Sequence, residues 1–188
     1  MLQVSVATNE DLGPIAQMLE LYQHDLVDIW DQDLDCLGRY GYDIAPYVQP
    51  SRSSGFLFRV GGLHAGFALV DAPGRFCEGE WWMAQFFVVR KYRRRGVGRA
   101  AARQVLDAVR GRWEVGQMAA NRAGREFWRS VVGEYTHGAY VEHWLETTGW
   151  HGSLQCFDNG HLGPSLQVTA AVGRNVPTAQ TPDPPPSD

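Results

Sequence analysis

The chain has 188 residues, 44% of them hydrophobic and 20% charged, which fits one domain with a sizeable core and excludes a wholly disordered or collagen-like polymer. A net charge of −4 and a pI near 5.8 argue against a dedicated nucleic-acid binder. No run of about 18 apolar residues occurs, so no transmembrane helix is expected; the N-terminal MLQVSVATNEDLGP also lacks the basic start and apolar core of a secretory signal.

Residues 2–6, LQVSV, alternate and predict a first strand. Thr8 precedes Asp11 by three, a capping-box spacing. Ile15, Met18, Leu19, Tyr22 and Leu26 then recur every three or four positions, predicting an amphipathic helix over 9–28. Residues 29–50 are polar, acidic and broken by Gly38, Gly41, Pro46 and Pro50, and read as a loop with room for a short helix. FLFRV at 56–60, Gly61-Gly62 and LHAGFALVD at 63–71 give a hairpin signal. A Pro73-Gly74 turn leads into EWWMAQFFVV, 80–89, apolar on both faces and therefore expected at the centre of a sheet.

A second helix is predicted over 97–113, ending near Gly111, and a strand over 113–120. A short helix over 123–135, ending at Gly133, precedes a closing hairpin of 140–146 and 150–157. The C-terminal TPDPPPSD holds four of the ten prolines. Proline supplies no ladder donor and little core, so the domain is expected over 1–160 and a flexible Pro-rich tail over 161–188. The order β, α, ββ, β, α, β, α, ββ describes an α/β or α+β domain with a mixed sheet and helices on both faces. Cys36, Cys77 and Cys156 are odd in number, distant and without CxxC spacing, so neither a disulfide framework nor a zinc site is expected, and a reduced cytoplasmic protein follows.

Charge is unevenly spread. Residues 1–80 carry 12 acids and four basic side chains. The basic excess peaks in RKYRRRGVGRAAAR, 90–103, with seven Arg or Lys and no acid. A core strand ending at Val89 therefore runs through a basic turn into Gly96, Gly98 and a helix start. First-turn amides have no intrahelical partner and the helix dipole places positive charge there, so this is an anion cradle. Glycine lets the backbone approach a phosphate, and Arg93, Arg94, Arg95 and Arg99 add forked donors. The Gly-Lys-Ser/Thr end of a P-loop is absent, and Ala101 stands where a dinucleotide fingerprint needs glycine.

This stretch resembles the pyrophosphate loop, Arg/Gln-x-x-Gly-x-Gly/Ala, of the GCN5-related N-acetyltransferase (GNAT) family. Arg93-Arg94-Arg95-Gly96-Val97-Gly98 fits the motif, and Val88, five residues earlier, matches the family's usual valine on the fourth strand. Asn121 through Phe127-Trp128 is similar to the family's Asn-x-x-Ala-x-x-Leu/Phe-Tyr element. The resemblance implies a mixed, mostly antiparallel sheet with helices on both faces and a splayed strand pair at the cofactor site.

It also implies acetyl-CoA as co-substrate, with no metal. Pantetheine would bond main chain near Val88, Val89 and Arg90, and the pyrophosphate would lie on amides from Arg94 through Val97 and Gly98 to Arg99. Asn121 would bond the amide-rich arm while also serving as a helix N-cap. An amine of a small molecule or a protein would then attack the thioester directly. The family's frequent base position falls on Trp82. Glu80, two residues earlier and on the same face of a regular strand, is the candidate base, and Gln85 falls on the opposite face. The family's tyrosine acid position falls on Trp128, whose indole donates a hydrogen bond but transfers no proton near neutral pH. Solvent, Tyr135, His137 and Tyr140 are the alternative proton donors to the leaving thiolate. Carboxylates and aromatics over 25–47, including Trp30, Tyr40, Tyr42 and Tyr47, lie where the family builds its acceptor wall and suit a cationic amine.

Two other functions stay open at this level. One is a catalytically inactive CoA-binding or regulatory module of the same fold. The other, disfavoured by the acidic balance, is a nucleic-acid module using the basic turn and Tyr92. A monomer or a homodimer fits either.

Overall fold

The computed structural model describes residues 1–49 and 53–160; the expected tail, 161–188, lies outside them. Seven strands form one sheet: β1 (Leu2–Val6), β2 (Ser54–Val60), β3 (Leu63–Asp71), β4 (Trp81–Val88), β5 (Arg112–Met118), β6 (Val141–Thr147) and β7 (Trp150–Asp158). Their spatial order is β1-β2-β3-β4-β5-β7-β6. Every neighbouring pair is antiparallel except β4 and β5, which run parallel.

The predicted first helix is divided. A 3-10 turn at Asn9–Asp11 precedes α1 (Leu12–Asp25), and α2 (Val27–Trp30) follows a break at Leu26. The Thr8–Asp11 spacing acts as expected: the Thr8 N–H donates to Asp11 Oδ2 at 3.0 Å. Leu26 leaves helical geometry at φ −115° and ψ 8°, its N–H shared between the Gln23 and His24 carbonyls. In the loop that follows, Pro46 sits in a 3-10 turn at Ala45–Tyr47.

The second predicted helix stops early. α3 covers Val97–Ala108, because Val109 is extended at φ −124° and ψ 114°. Its last carbonyls are capped from the far end of the sheet. Asn159 Nδ2 donates to Leu106 O at 2.6 Å and to Val109 O at 3.1 Å, while Asn159 Oδ1 accepts from the Gly111 N–H at 2.8 Å. α4 covers Arg122–Tyr135 and runs through Gly133, where an added methyl carbon would meet only the Tyr140 ring at 3.8 Å.

Each face of the sheet builds its own core. On one, α3 buries Ala101, Ala102, Val105 and Leu106, and α4 buries Trp128, Val131 and Val132, against Phe56, Phe58, Val70, Met83, Trp113 and Phe157. On the other, Ile15, Met18 and Leu19 of α1 and Ile44 and Tyr47 of the following loop cover Leu57, Phe67, Leu69 and Phe87. Each fully buried side chain of this size contributes about 1.5–3 kcal/mol, so both helical layers are held by ordinary apolar burial.

Two irregularities shape the centre. β4 and β5 pair only at Trp81↔Trp113 and Trp82↔Glu114, and then part. The β3–β4 register slips between Leu69↔Gln85 and Val70↔Met83, so Ala84 is an extra, bulged residue of β4. The bulge resets side-chain parity. Gln85 pairs with Leu69, which belongs to the α1-side core, so it shares the face of Trp82 and Phe87. The alternation argument that assigned it to the opposite face holds only for an unbulged strand.

The expectation of three separate thiols is also corrected. Cys77 and Cys156 are joined as a disulfide, while Cys36 is free and exposed. They meet because the loop between β3 and β4 folds over the face on which β7 presents Cys156. Among the described residues, no helix is long and apolar enough to cross a membrane.

Candidate functional site

The fork between β4 and β5 opens toward the basic turn. A 3-10 turn at Arg90–Tyr92 ends β4, and the chain then reaches α3 through two left-handed residues, Arg94 at φ 59° and Gly96 at φ 78°. An L-residue in that region costs roughly 1 kcal/mol, and Gly96 meets it without a side chain. The first helical bond of α3 runs from the Ala100 N–H to Gly96 O at 3.0 Å. The amides of Val97, Gly98 and Arg99 therefore precede the ladder and point out of the helix end. A methyl carbon at Gly96 would meet nothing within 4 Å, so the space beside it is open. At Gly98 it would lie 3.3 Å from the Phe127 ring and 3.5 Å from Val88 Cγ2. Glycine there allows α3 to seat closely on α4 and β4.

The guanidinium groups do not act as one cluster. Arg99 forms an ion pair with Glu134 and donates to Ser130 Oγ at 3.0 Å. Arg90 and Arg93 both turn to Asp25, the last residue of α1, at 2.5 Å each. Burial raises the Asp25 carboxyl pKa, but the two guanidiniums outweigh it and hold the group below the usual carboxylate range. Arg93 also donates through Nε to Val88 O at 2.6 Å and lies over the Phe87 ring. Arg94 and Arg95 have no ion pair among the described residues and stand beside the start of α3.

Asn121 caps α4, its Oδ1 accepting from the Gly124 N–H at 2.9 Å, which leaves its amide nitrogen to donate. Trp128 is buried against Phe86, with ring centroids 5.1 Å apart, and against Phe127 at 5.3 Å. It closes the fork from the α4 side as an apolar surface.

Glu80 lies elsewhere. Its carboxylate accepts from the Arg112 N–H at 3.0 Å, and its own N–H donates to Arg112 O at 2.8 Å, so it pins the closed end of the fork. At about 3.3 Å per residue it stands roughly 13 Å along the strand from the Ala84 bulge. The geometry does not bring it to the open side. Trp82, on the α1 side of the sheet, is buried in an aromatic cluster with Phe76 and Trp150, at centroid distances of 5.6 Å to each. Tyr135 donates to Asp107 Oδ1 at 2.9 Å near the opposite end of α3 from the cradle. Among the alternative acids, His137 is an exposed residue with φ 53° in the turn after α4.

Glu114 is a residue the sequence did not single out. It is fully buried at the point where the strands part. Its carboxylate accepts from the N–H groups of Arg75, Phe76, Cys77 and Gly79 at 2.6–3.1 Å. Four amides replace water around this charge. They also lock the β3–β4 loop, with Phe76 on its tip, over Trp82. A single charged residue in the run WEVGQM was the available signal. The loop after α2 is likewise tied down: Glu20 accepts from the Tyr40 N–H at 2.7 Å, and Gln32 Nε2 donates to Tyr40 O at 2.8 Å.

A profile of the acetyltransferase (GNAT) family matches residues 15–133. No curated protein sequence matches the chain. Among solved structures, an acetyltransferase from Thermus thermophilus is similar at 16% identity and a TM-score of 0.60, over 84% of this chain and 97% of that one. The aminoglycoside acetyltransferase AAC(6')-Ib in complex with coenzyme A is similar at 11% identity and a TM-score of 0.60, over 85% and 95%. The ribosomal-protein-S18-alanine N-acetyltransferase from Escherichia coli is similar at 17% identity and a TM-score of 0.54, over 89% and 99%. At such identities the likeness concerns the fold.

Proposed function

The chain belongs to the acetyltransferase (GNAT) family, and on that premise we propose that it transfers an acetyl group from acetyl-CoA to an amine of a small molecule or a protein. The observation that carries the reading is the meeting of an open fork with the exposed first-turn amides of α3, entered through Arg94 and Gly96 in left-handed geometry. That donor set fits a diphosphate: outward amides, open space beside Gly96, and two guanidiniums without an ion pair among the described residues.

Acetyl-CoA, when bound, supplies the activated thioester. The amides of Val97, Gly98 and Arg99 hold the diphosphate, with Arg94 and Arg95 neutralising it. Asn121 donates to an amide of the arm, and the open edge of β4 from the Ala84 bulge to Val88 orients it. Free N–H groups on that edge face the charge that develops on the carbonyl oxygen. On the other side, Trp82, Phe76 and Trp150 exclude water, and the segment over 26–49 forms the acceptor wall. Asp28, Asp31 and Asp33, which have no ion pair among the described residues, attract a cationic amine toward it. Two structural neighbours are named as acetyltransferases of a ribosomal-protein alanine and of an aminoglycoside.

With Trp82 in place of a titrating base and Gln85 beside the bulge, the amine reaches the thioester already deprotonated by solvent. Calorimetry with acetyl-CoA and CoA, followed by CoA release over a panel of amines, tests the proposal. Binding with release is the expected result. Absence of heat with both would overturn it. Binding without release for any amine would favour the inactive cofactor-binding module, a reading that the two tryptophans at titrating positions support.

A further inference from the structure

The carbonyl that ends β4 already has a partner. The Val89 N–H donates to Ala65 O on β3 at 2.9 Å. The two groups of one peptide point in opposite directions, so the Val88 carbonyl of that peptide faces away from β3, onto the open edge of β4. There it accepts from Arg93 Nε at 2.6 Å. The same guanidinium reaches Asp25 Oδ2 through Nη2 at 2.5 Å, and Arg90 takes Asp25 Oδ1 at 2.5 Å. Asp25 is largely buried, its side chain 15% exposed.

We propose that Asp25 is a positioning residue that latches Arg93 across the open edge of β4, so that entry of the CoA arm requires this guanidinium to leave Val88. The inference rests on the cofactor reading above. A guanidinium is planar and rigid, so Nε and Nη2 move as a unit. An arm that bonds the Val88 carbonyl displaces Arg93 from Asp25 as well and frees it toward the diphosphate. The latch also ties the cofactor side to the acceptor side. Asp25 ends α1, Tyr22 one turn earlier contacts the Phe87 ring at 5.7 Å, and Trp30 of α2 contacts Tyr22 at 5.4 Å. Release of Arg93 therefore loosens the hinge at Leu26 between the two helices of the acceptor wall.

The test has two readouts. In the ligand-free protein, the Arg93 Nε–H resonance, assigned by its loss in Arg93→Lys, is expected to exchange slowly with water, and faster in Asp25→Asn. Exchange as fast as that of an exposed arginine in the unsubstituted protein would overturn the latch whatever the cofactor does. In calorimetric titrations with CoA, Asp25→Asn is expected to bind about tenfold more tightly, the equivalent of one charge-assisted hydrogen bond that no longer has to break. The gain from Asp25→Asn should persist at about 0.5 M salt, where long-range attraction is screened. Equal or weaker CoA affinity in a folded Asp25→Asn protein would overturn the gate. A slow-exchanging Arg93 with no CoA binding would overturn the cofactor reading and reduce the latch to a structural ion pair.

Discussion

Gly96 and Glu80 mark the two ends of what single residues do here. Gly96 combines a φ of 78° with open space around its missing side chain. Gly96→Asp is expected to lower CoA affinity more than about 100-fold, since it places a strained carboxylate among the amides, while the melting temperature falls by only a few degrees. Calorimetry and thermal unfolding of the same sample check both halves. Glu80 holds the paired end of β4 and β5 through Arg112. Glu80→Gln is therefore expected to leave the pH–rate profile unchanged, whereas a lost acidic limb would restore it to a base role. The strand, basic turn and helix start around the pattern Arg-Arg-Arg-Gly-Val-Gly were legible from residue types alone. The separate duties of its arginines were not, because the Asp25 carboxylate that claims two of them lies more than sixty positions away.

At the scale of elements, distant side chains finish what local pattern begins. α3 was placed correctly at its start, where the glycines stand, and extended too far at its end, where Asn159 caps it. Asn159→Ala removes four hydrogen bonds and is expected to cost about 2 kcal/mol, measured by urea unfolding, without affecting CoA affinity. The β3–β4 loop depends in the same way on Glu114. Glu114→Gln turns an amide nitrogen toward backbone donors and should cost roughly 3 kcal/mol, more than Cys77→Ser does if the four amides are the chief anchor. Thermal unfolding of the two variants decides the order. The bulge at Ala84 belongs here too: one extra residue exchanges the faces of every side chain before it, and the run WWMAQFFV has no polar alternation that would reveal it.

For the whole molecule, acid is the condition that separates its parts. Asp11 carries a lowered pKa because Thr8 and Arg59 outweigh the raising effect of burial, and Asp25 because Arg93 and Arg90 do so. A depressed carboxyl stabilises the fold above its unfolded value, near 3.9, and that stability is lost as pH falls through the folded value. The urea midpoint is therefore expected to fall as pH drops below about 5, with a smaller fall in Asp25→Asn. Saturation with acetyl-CoA at about 100 times its dissociation constant should add about 2.7 kcal/mol at neutral pH. If turnover follows, its rate should rise with pH along the titration of the acceptor amine itself.

Element order, two helical layers, the central apolar strand and the basic, glycine-bearing turn into α3 all followed from local periodicity and glycine placement, since these record short-range sterics and burial. Pairing between distant segments settled the rest: where β4 and β5 part, which face Gln85 takes, that Cys77 meets Cys156, and that Asp25 holds Arg93. None of those contacts has a local signature, because each joins groups brought together only when the sheet closes around its two cores.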